Sequence, residues 1–181
     1  MSAAMILADA KEERSREVDL RQFLTFTLAE EIYAVSIAKV REIVEFHSLT
    51  NIPMMPDFLC GVTNLRGAVI PVVDLLARFG KGVTAIGKRT CIVIIEVKNE
   101  DEKTPLGILV NSVNAVLPVD HEHIESRPSF GTSIRADFIE ALLNLGGNFV
   151  IALDVQQVLS IEEMSGIARA FGCSDSHGNG E

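Results

Sequence analysis

Two histidines bracket a glutamate at residues 121–123 (HEH). Two aspartates, Asp74 and Asp154, close similar apolar runs, and Arg66 interrupts the apolar stretch NLRGAVIPVVD (64–74). Each pattern suggests a chemistry. Imidazoles two apart on a strand share a face and make half of a metal site. With no cysteine or third histidine near in sequence, the HEH pair reads as surface histidines. Nor is it the zincin pattern, whose histidines lie four apart on a helix. Two aspartates can divide acid and base roles. A guanidinium offers a planar fork of donors to carboxylates or carbonyls. His47 and His177 stand alone, and the chain has neither a phosphate-binding glycine loop nor a nucleophile elbow.

The elements that must position these residues read mainly as strands. In QFLTFTL, Phe23, Thr25 and Thr27 alternate with Leu24, Phe26 and Leu28, and EIYAVSI follows after a short turn, as in a hairpin. TCIVIIEV is a continuous β-branched run, which predicts cover on both faces. NEDEKTP is a polar connection, and LGILVNSVNAVLPV and NFVIALDV are again strand-like. Many short strands with turns between them indicate a barrel or sandwich. Helices are few. Asp74 and Asp154 each precede a short helical segment as N-caps, with Gly80 closing the first. SIEEMSGIARAF predicts a closing helix, Ser160 and Glu163 forming its capping box.

The two aspartates belong to a longer repeat. DFLCGVTNLRGAVIPVVD (57–74) and DFIEALLNLGGNFVIALD (137–154) align without a gap, sharing Asp, Phe, Asn, Leu, Gly and Asp. Upstream, YAVSIAKVREIVEF and LGILVNSVNAVLPV match more loosely. Val40 and Ile43/Val44 answer Val113 and Val116, and Pro53 and Pro128 follow. The chain therefore contains two copies of one small β unit, which must pack together to bury a sufficient core. Shared positions serve the fold: Asn64 and Asn144 suit turns, Gly67 and Gly147 a tight backbone, and Asp74 and Asp154 helix caps rather than catalysis. Arg66 is unshared, because Gly146 stands in its place. It is a candidate for function. The alternative is a solvated turn residue, or one paired with Glu42 or Asp57 inside the fold.

Bulk properties exclude several classes. The chain has 181 residues, net charge −9, no Trp and one Tyr. An acidic chain with no Lys/Arg run beyond two residues lacks the basic footprint of a nucleic-acid binder. No run of 18 apolar residues is present, and the opening residues lack the order of a signal peptide, so a cytoplasmic protein is expected. Cys60, Cys91 and Cys173 are an odd set without CxxC spacing, which favours free thiols over disulfides or zinc. Residues 1–20 and 166–181 are expected to be flexible tails around a domain at 21–165. No cofactor or metal is expected. A flavin- or metabolite-binding β-barrel is the rival of a different class.

The stretch IPMMPDFLCGVTNLRGAVIPVVDLLARFG resembles the signature of the CheW coupling proteins of bacterial chemotaxis, a domain also found in the kinase CheA and in CheV. QFLTFTLAEEIYAVSIAKVREIVEF, GILVNSVNAVLPV and VIALDVQQVLSIEEM agree, so the likeness covers about residues 21–164. Asn111, where the family often has Asp, and the tail after Gly166 depart from it. The resemblance implies an all-β fold of two pseudo-symmetric, SH3-like, five-stranded barrels around a shared core, with a C-terminal helix. It implies a non-catalytic adaptor joining the helical cytoplasmic tip of chemoreceptors to the regulatory domain of the histidine kinase CheA, and reaching the membrane only through those receptors. A coupler in a non-flagellar chemosensory pathway is the alternative. Arg66 and Gly67 match the family's NLRG, linked to receptor coupling. Ile37, Val40, Glu42 and Ile43 match a segment linked to the receptor groove, where an apolar surface suits a helix. For Ile37, Val40 and Ile43 core packing is the alternative, and for Glu42 a plain surface charge. Val113 and Val116, the counterparts in the second unit, are candidates for the kinase contact, with core again the alternative.

Overall fold

A computed structural model describes residues 20–127 and 134–158. The predicted closing helix with Ser160 and Glu163, the two tails, Pro128, Cys173 and His177 lie outside the described residues. The strands are β1 (Leu20–Leu28), β2 (Glu31–Ser36), β3 (Val40–Glu45), β4 (Leu59–Leu65) and β5 (Ala68–Asp74). After helix α1 (Leu75–Arg78) come β6 (Cys91–Asn99), β7 (Glu102–Val110), β8 (Ser112–Asp120), β9 (Ile124–Ser126), β10 (Ile139–Leu145) and β11 (Asn148–Leu153), then helix α2 (Val155–Val158). HEH is a 3₁₀ turn rather than part of a strand.

Two sheets form, ordered β3-β6-β7-β5-β4 and β8-β1-β2-β11-β10-β9. The second has six strands, not the expected five. Its extra strand, β9, lies where the first sheet makes only the bridge between Thr50 and Val62. The pairing registers prove the duplication. Parallel β5–β7 aligns Val72 with Gly107, and parallel β11–β2 aligns Ala152 with Ala34. Val40 opposite Ile95 matches Val113 opposite Phe26, and Ile43 opposite Val93 matches Val116 opposite Leu24. Even the bulges coincide: Arg41 and Asn114 are each the extra residue in their ladder, as are Cys60 and Glu140.

The units are interlocked rather than placed side by side. The first unit, β1–β5, gives β1 and β2 to one sheet and β3–β5 to the other. The second gives β6 and β7 to one and β8–β11 to the other. Each sheet thus needs both halves of the sequence. LGILVNSVNAVLPV, one strand by pattern, is broken at Asn111, where the chain changes sheets. The Asn111 side chain secures the break by accepting from the Ala29 N–H (2.9 Å) and donating to the Ala85 carbonyl (3.1 Å). A carboxylate there could not make the second contact.

Burial follows from this topology. Ile70, Val72, Ile92, Ile94 and Leu109 fill one barrel; Phe23, Ala34, Val119, Leu143, Val150 and Ala152 fill the other. A third, larger cluster lies between them and draws on both sheets, including Leu24, Phe26 and Leu28 of β1 and Val93, Ile95 and Val97 of β6. This explains the continuous apolar run in β6, whose alternate residues enter a barrel interior and the shared core. Arg78 stitches the units where they meet. Its guanidinium lies over Phe58 (5.3 Å) and over the equivalent Phe138 (4.9 Å), and its Nε donates to the Val158 carbonyl at 2.7 Å.

Candidate functional site

The β4–β5 hairpin turns through two residues, Arg66 and Gly67, between paired Leu65 and Ala68. Both have positive φ, 53° and 88°, the type I′ pattern that fits the twist of a tight hairpin. Asn64 fixes the turn by accepting the Gly67 N–H at 3.0 Å. The β10–β11 hairpin repeats this. Gly146 and Gly147 have φ of 65° and 92°, and Asn144 accepts the Gly147 N–H at 3.0 Å. Position 66 therefore demands a left-handed conformation that glycine adopts freely and an arginine adopts at a cost of about 1 kcal/mol.

Arg66 does have a partner in the fold. Its Nη1 donates to Glu42 Oε2 at 3.1 Å, the alternative raised from sequence, while Asp57 makes no ion pair with it. A bulge leaves Arg41 unpaired in β3 directly before Glu42, whose carboxylate meets the hairpin tip. The Arg66 side chain remains 77% exposed and that of Glu42 21%. An ion pair so open to water adds little stability. The second unit carries Ala115 and Gly146 at the equivalent positions, so both charges are absent there.

The other candidates separate by depth. Ile37, Val40 and Val113 pack against the shared core and are partly buried. Ile43 is 43% exposed and Val116, its counterpart, 46%. Residues missed from sequence stand out beside them: Val69 and its counterpart Phe149 are 57% and 55% exposed. A period-2 strand pattern hides such residues because it does not say which face of an apolar strand is left open. Glu42, Arg66 and Gly67 are brought together, with Ile43 on the same strand as Glu42 and Val69 two residues beyond Gly67. Val113 and Val116 lie on β8, in the other sheet.

Asp74 and Asp154 cap their helices, as expected. Asp74 accepts the Leu76 N–H (3.0 Å) and Asp154 the Gln156 N–H (3.1 Å). The buried Asp74 also accepts Thr84 N–H (2.8 Å) and Oγ1–H (2.7 Å), which clamps the connection between the units. Among the described residues no cluster of three or more His, Cys, Asp or Glu is placed to hold a metal. Burial, with help from the charge on Asp74, pushes the Cys60 thiol up to about 11, and burial also raises Cys91, so both are neutral thiols near pH 7. The cavity in the shared core beside Val73, Leu75 and Ile95 holds about 10 Å³. That is far below the roughly 300 Å³ of a small-ligand site. No helix among the described residues is long and apolar enough to cross a membrane.

Comparison with known proteins places the chain among relatives. The profile of the CheW-like domain matches residues 22–163. The chemotaxis protein CheW of Klebsiella aerogenes is 34% identical over 145 residues, covering 80% of this chain and 85% of that protein. CheW of Treponema pallidum is 32% identical over 149 residues, with 81% and 86% covered. The crystal structure of the scaffolding protein TtCheW from Thermoanaerobacter tengcongensis superposes with a TM-score of 0.71 at 33% identity, covering 80% of this chain and 90% of that one.

Proposed function

The chain belongs to the CheW family, and from that membership we propose that it is a non-catalytic chemotaxis scaffold joining chemoreceptor tips to the histidine kinase CheA. The receptor face is the rim of the first barrel. Arg66 supplies the specific contact, Glu42 holds its guanidinium in place between encounters, and Gly67 keeps the turn tight. Ile43 and Val69 add open apolar surface, while Ile37 and Val40 support β3 from behind. The kinase contact lies on β8, with Val116 exposed and Val113 packed against the shared core. The protein meets the membrane only through its receptors.

The observation that carries this reading is Arg66 itself. It occupies a left-handed position that the duplicate fills with glycine, its side chain is open to solvent, and its pairing with Glu42 is too exposed to explain it by stability. A fork held loosely at a rigid turn can exchange its carboxylate for a partner's carboxylate or carbonyl. The cavity of about 10 Å³ in the shared core counts against a ligand buried there.

The test is a pull-down with a chemoreceptor cytoplasmic fragment and CheA, using wild type and Arg66→Ala. The expected result is loss of the receptor with retention of the kinase and an unchanged thermal melt. A melt lowered as far as that of a core variant would return Arg66 to a structural role. Failure of wild type to bind either partner would refute the coupling reading.

A further inference from the structure

The connection between the two units reads KGVTAIGKR (81–89), with three cations and no acid, in a chain of 25 acidic and 16 basic residues. It is held firmly. Asp74 clamps Thr84, and Asn111 donates to the Ala85 carbonyl. At its end Lys88 and Arg89 are the central pair of a β-turn. This turn is closed by the Thr90 N–H to the Gly87 carbonyl (3.3 Å) and by the Gly87 N–H to Thr90 Oγ1 (2.7 Å), with Thr90 itself buried. Neither Lys88 nor Arg89 has an ion-pair partner among the described residues.

This turn forms one wall of a cleft of about 410 Å³, between the ends of β3 and the starts of β6 and β8. His47, Ser112 and Asn114 also line the cleft, the Asn114 amide being held by Thr27. Glu45 is the one carboxylate in the lining, and Cys91, whose thiol donates to the Arg89 carbonyl at 3.2 Å, and Val113 line it too. Among the described residues the Ser112 hydroxyl makes one hydrogen bond, a long 3.5 Å donation to Asn114 Oδ1 that a ligand could replace. Two cations left unmatched at a concave site, in a protein with carboxylates in excess, focus a positive potential there.

We propose that this cleft is an oxyanion-binding site, in which Lys88 and Arg89 take a phosphate or carboxylate group with Ser112 as an additional donor. Phosphate would come as a free polyphosphate and carboxylate from an acidic segment of a partner protein. The charge-assisted bonds are the same for both. Glu45 sets the selectivity by opposing any anion that enters deeply. The site is on the opposite end of β3 from the bulge before Glu42, and it does not depend on the receptor reading.

The experiment is amide NMR of the full 181-residue chain, titrated at constant ionic strength with pyrophosphate and, separately, with a hexaglutamate peptide. Saturable shifts confined to Lys88–Cys91 and Ser112–Asn114 are expected with one or both probes. Pyrophosphate alone identifies a free-phosphate site, and the peptide alone a partner's carboxylates. Replacing both Lys88 and Arg89 by Ala should weaken binding roughly tenfold or more, and Glu45→Gln should tighten it, with the rest of the spectrum unchanged. Absence of saturation with both probes, or an equal response from the double variant, overturns the proposal.

Discussion

The two hairpins β4–β5 and β10–β11 have the same register, the same bulge, the same Asn-capped turn and two positive-φ residues at the tip. They differ at the tip. One carries Arg66 paired to Glu42, and the other has Gly146 opposite Ala115. A duplicated fold is its own control. Whatever both units share is what the barrel requires, and whatever only one has must be explained by something else. Arg66 violates the local backbone preference that its twin obeys, and it gains only an exposed ion pair. The same logic separates Asp74 from Asp154: both cap helices, but only Asp74 is buried and grips Thr84.

The largest expected effect breaks that second pair apart. Asp74→Ala leaves the Leu76 and Thr84 donors buried without an acceptor and should cost about 3–5 kcal/mol. Asp154→Ala, at a half-buried cap, should cost about 1 kcal/mol. Urea unfolding of both variants measures the gap, and equal costs would mean that Asp74 acts only as a cap.

Exchanging the hairpin tips is the next test. Arg66→Gly should leave the protein equally or more stable, by up to about 1 kcal/mol, while receptor binding is lost. Gly146→Arg should cost about 1 kcal/mol and bind nothing new. Matched melts and receptor binding isotherms read both sides. An Arg66→Gly variant that still bound receptor would remove the arginine from the interface.

A pH test compares the bulge residues, Cys60 in one unit and Glu140 in the other. Cys60 donates its thiol to the Val72 carbonyl at 3.2 Å, whereas Glu140 reaches out to Arg21 at 2.7 Å. Burial raises the Cys60 thiol from 9.0 to about 11 in the fold. A raised value favours the folded state below pH 9 and loses that contribution as pH climbs through 11. Stability should therefore decline over that window by up to about 2–3 kcal/mol, less whatever solvent screens at this partly exposed thiol, and Cys60→Ala should flatten the decline. An unchanged pH profile in that variant would show that Cys60 contributes nothing.

Much of this molecule is legible in its residues. The repeat of Asp, Phe, Asn, Leu, Gly and Asp announced two units, and the asymmetry at position 66 singled out the arginine before any geometry was known. The helix caps and turn asparagines followed from local chemistry, which acts over three or four residues and so leaves its mark in a short window. The TCIVIIEV run foretold cover on both faces of β6. His121 and His123 are exposed, as the surface reading expected, although they stand on a 3₁₀ turn rather than on a strand.

Long-range pairing was hidden. Nothing in LGILVNSVNAVLPV says that the chain crosses between sheets at Asn111, because both strands need the same apolar pattern on either side of the break. Nor could apolar spacing sort exposed Ile43, Val69, Val116 and Phe149 from half-buried Ile37, Val40 and Val113. That depends on which sheet lies opposite. By itself the sequence determined the duplication, the local turns and caps, and which arginine breaks the repeat. Only the tertiary structure decided that the halves interlock, that Glu42 meets Arg66, and that Asp74 reaches Thr84. These contacts join residues 10 to 24 positions apart, beyond the few residues over which backbone preference acts.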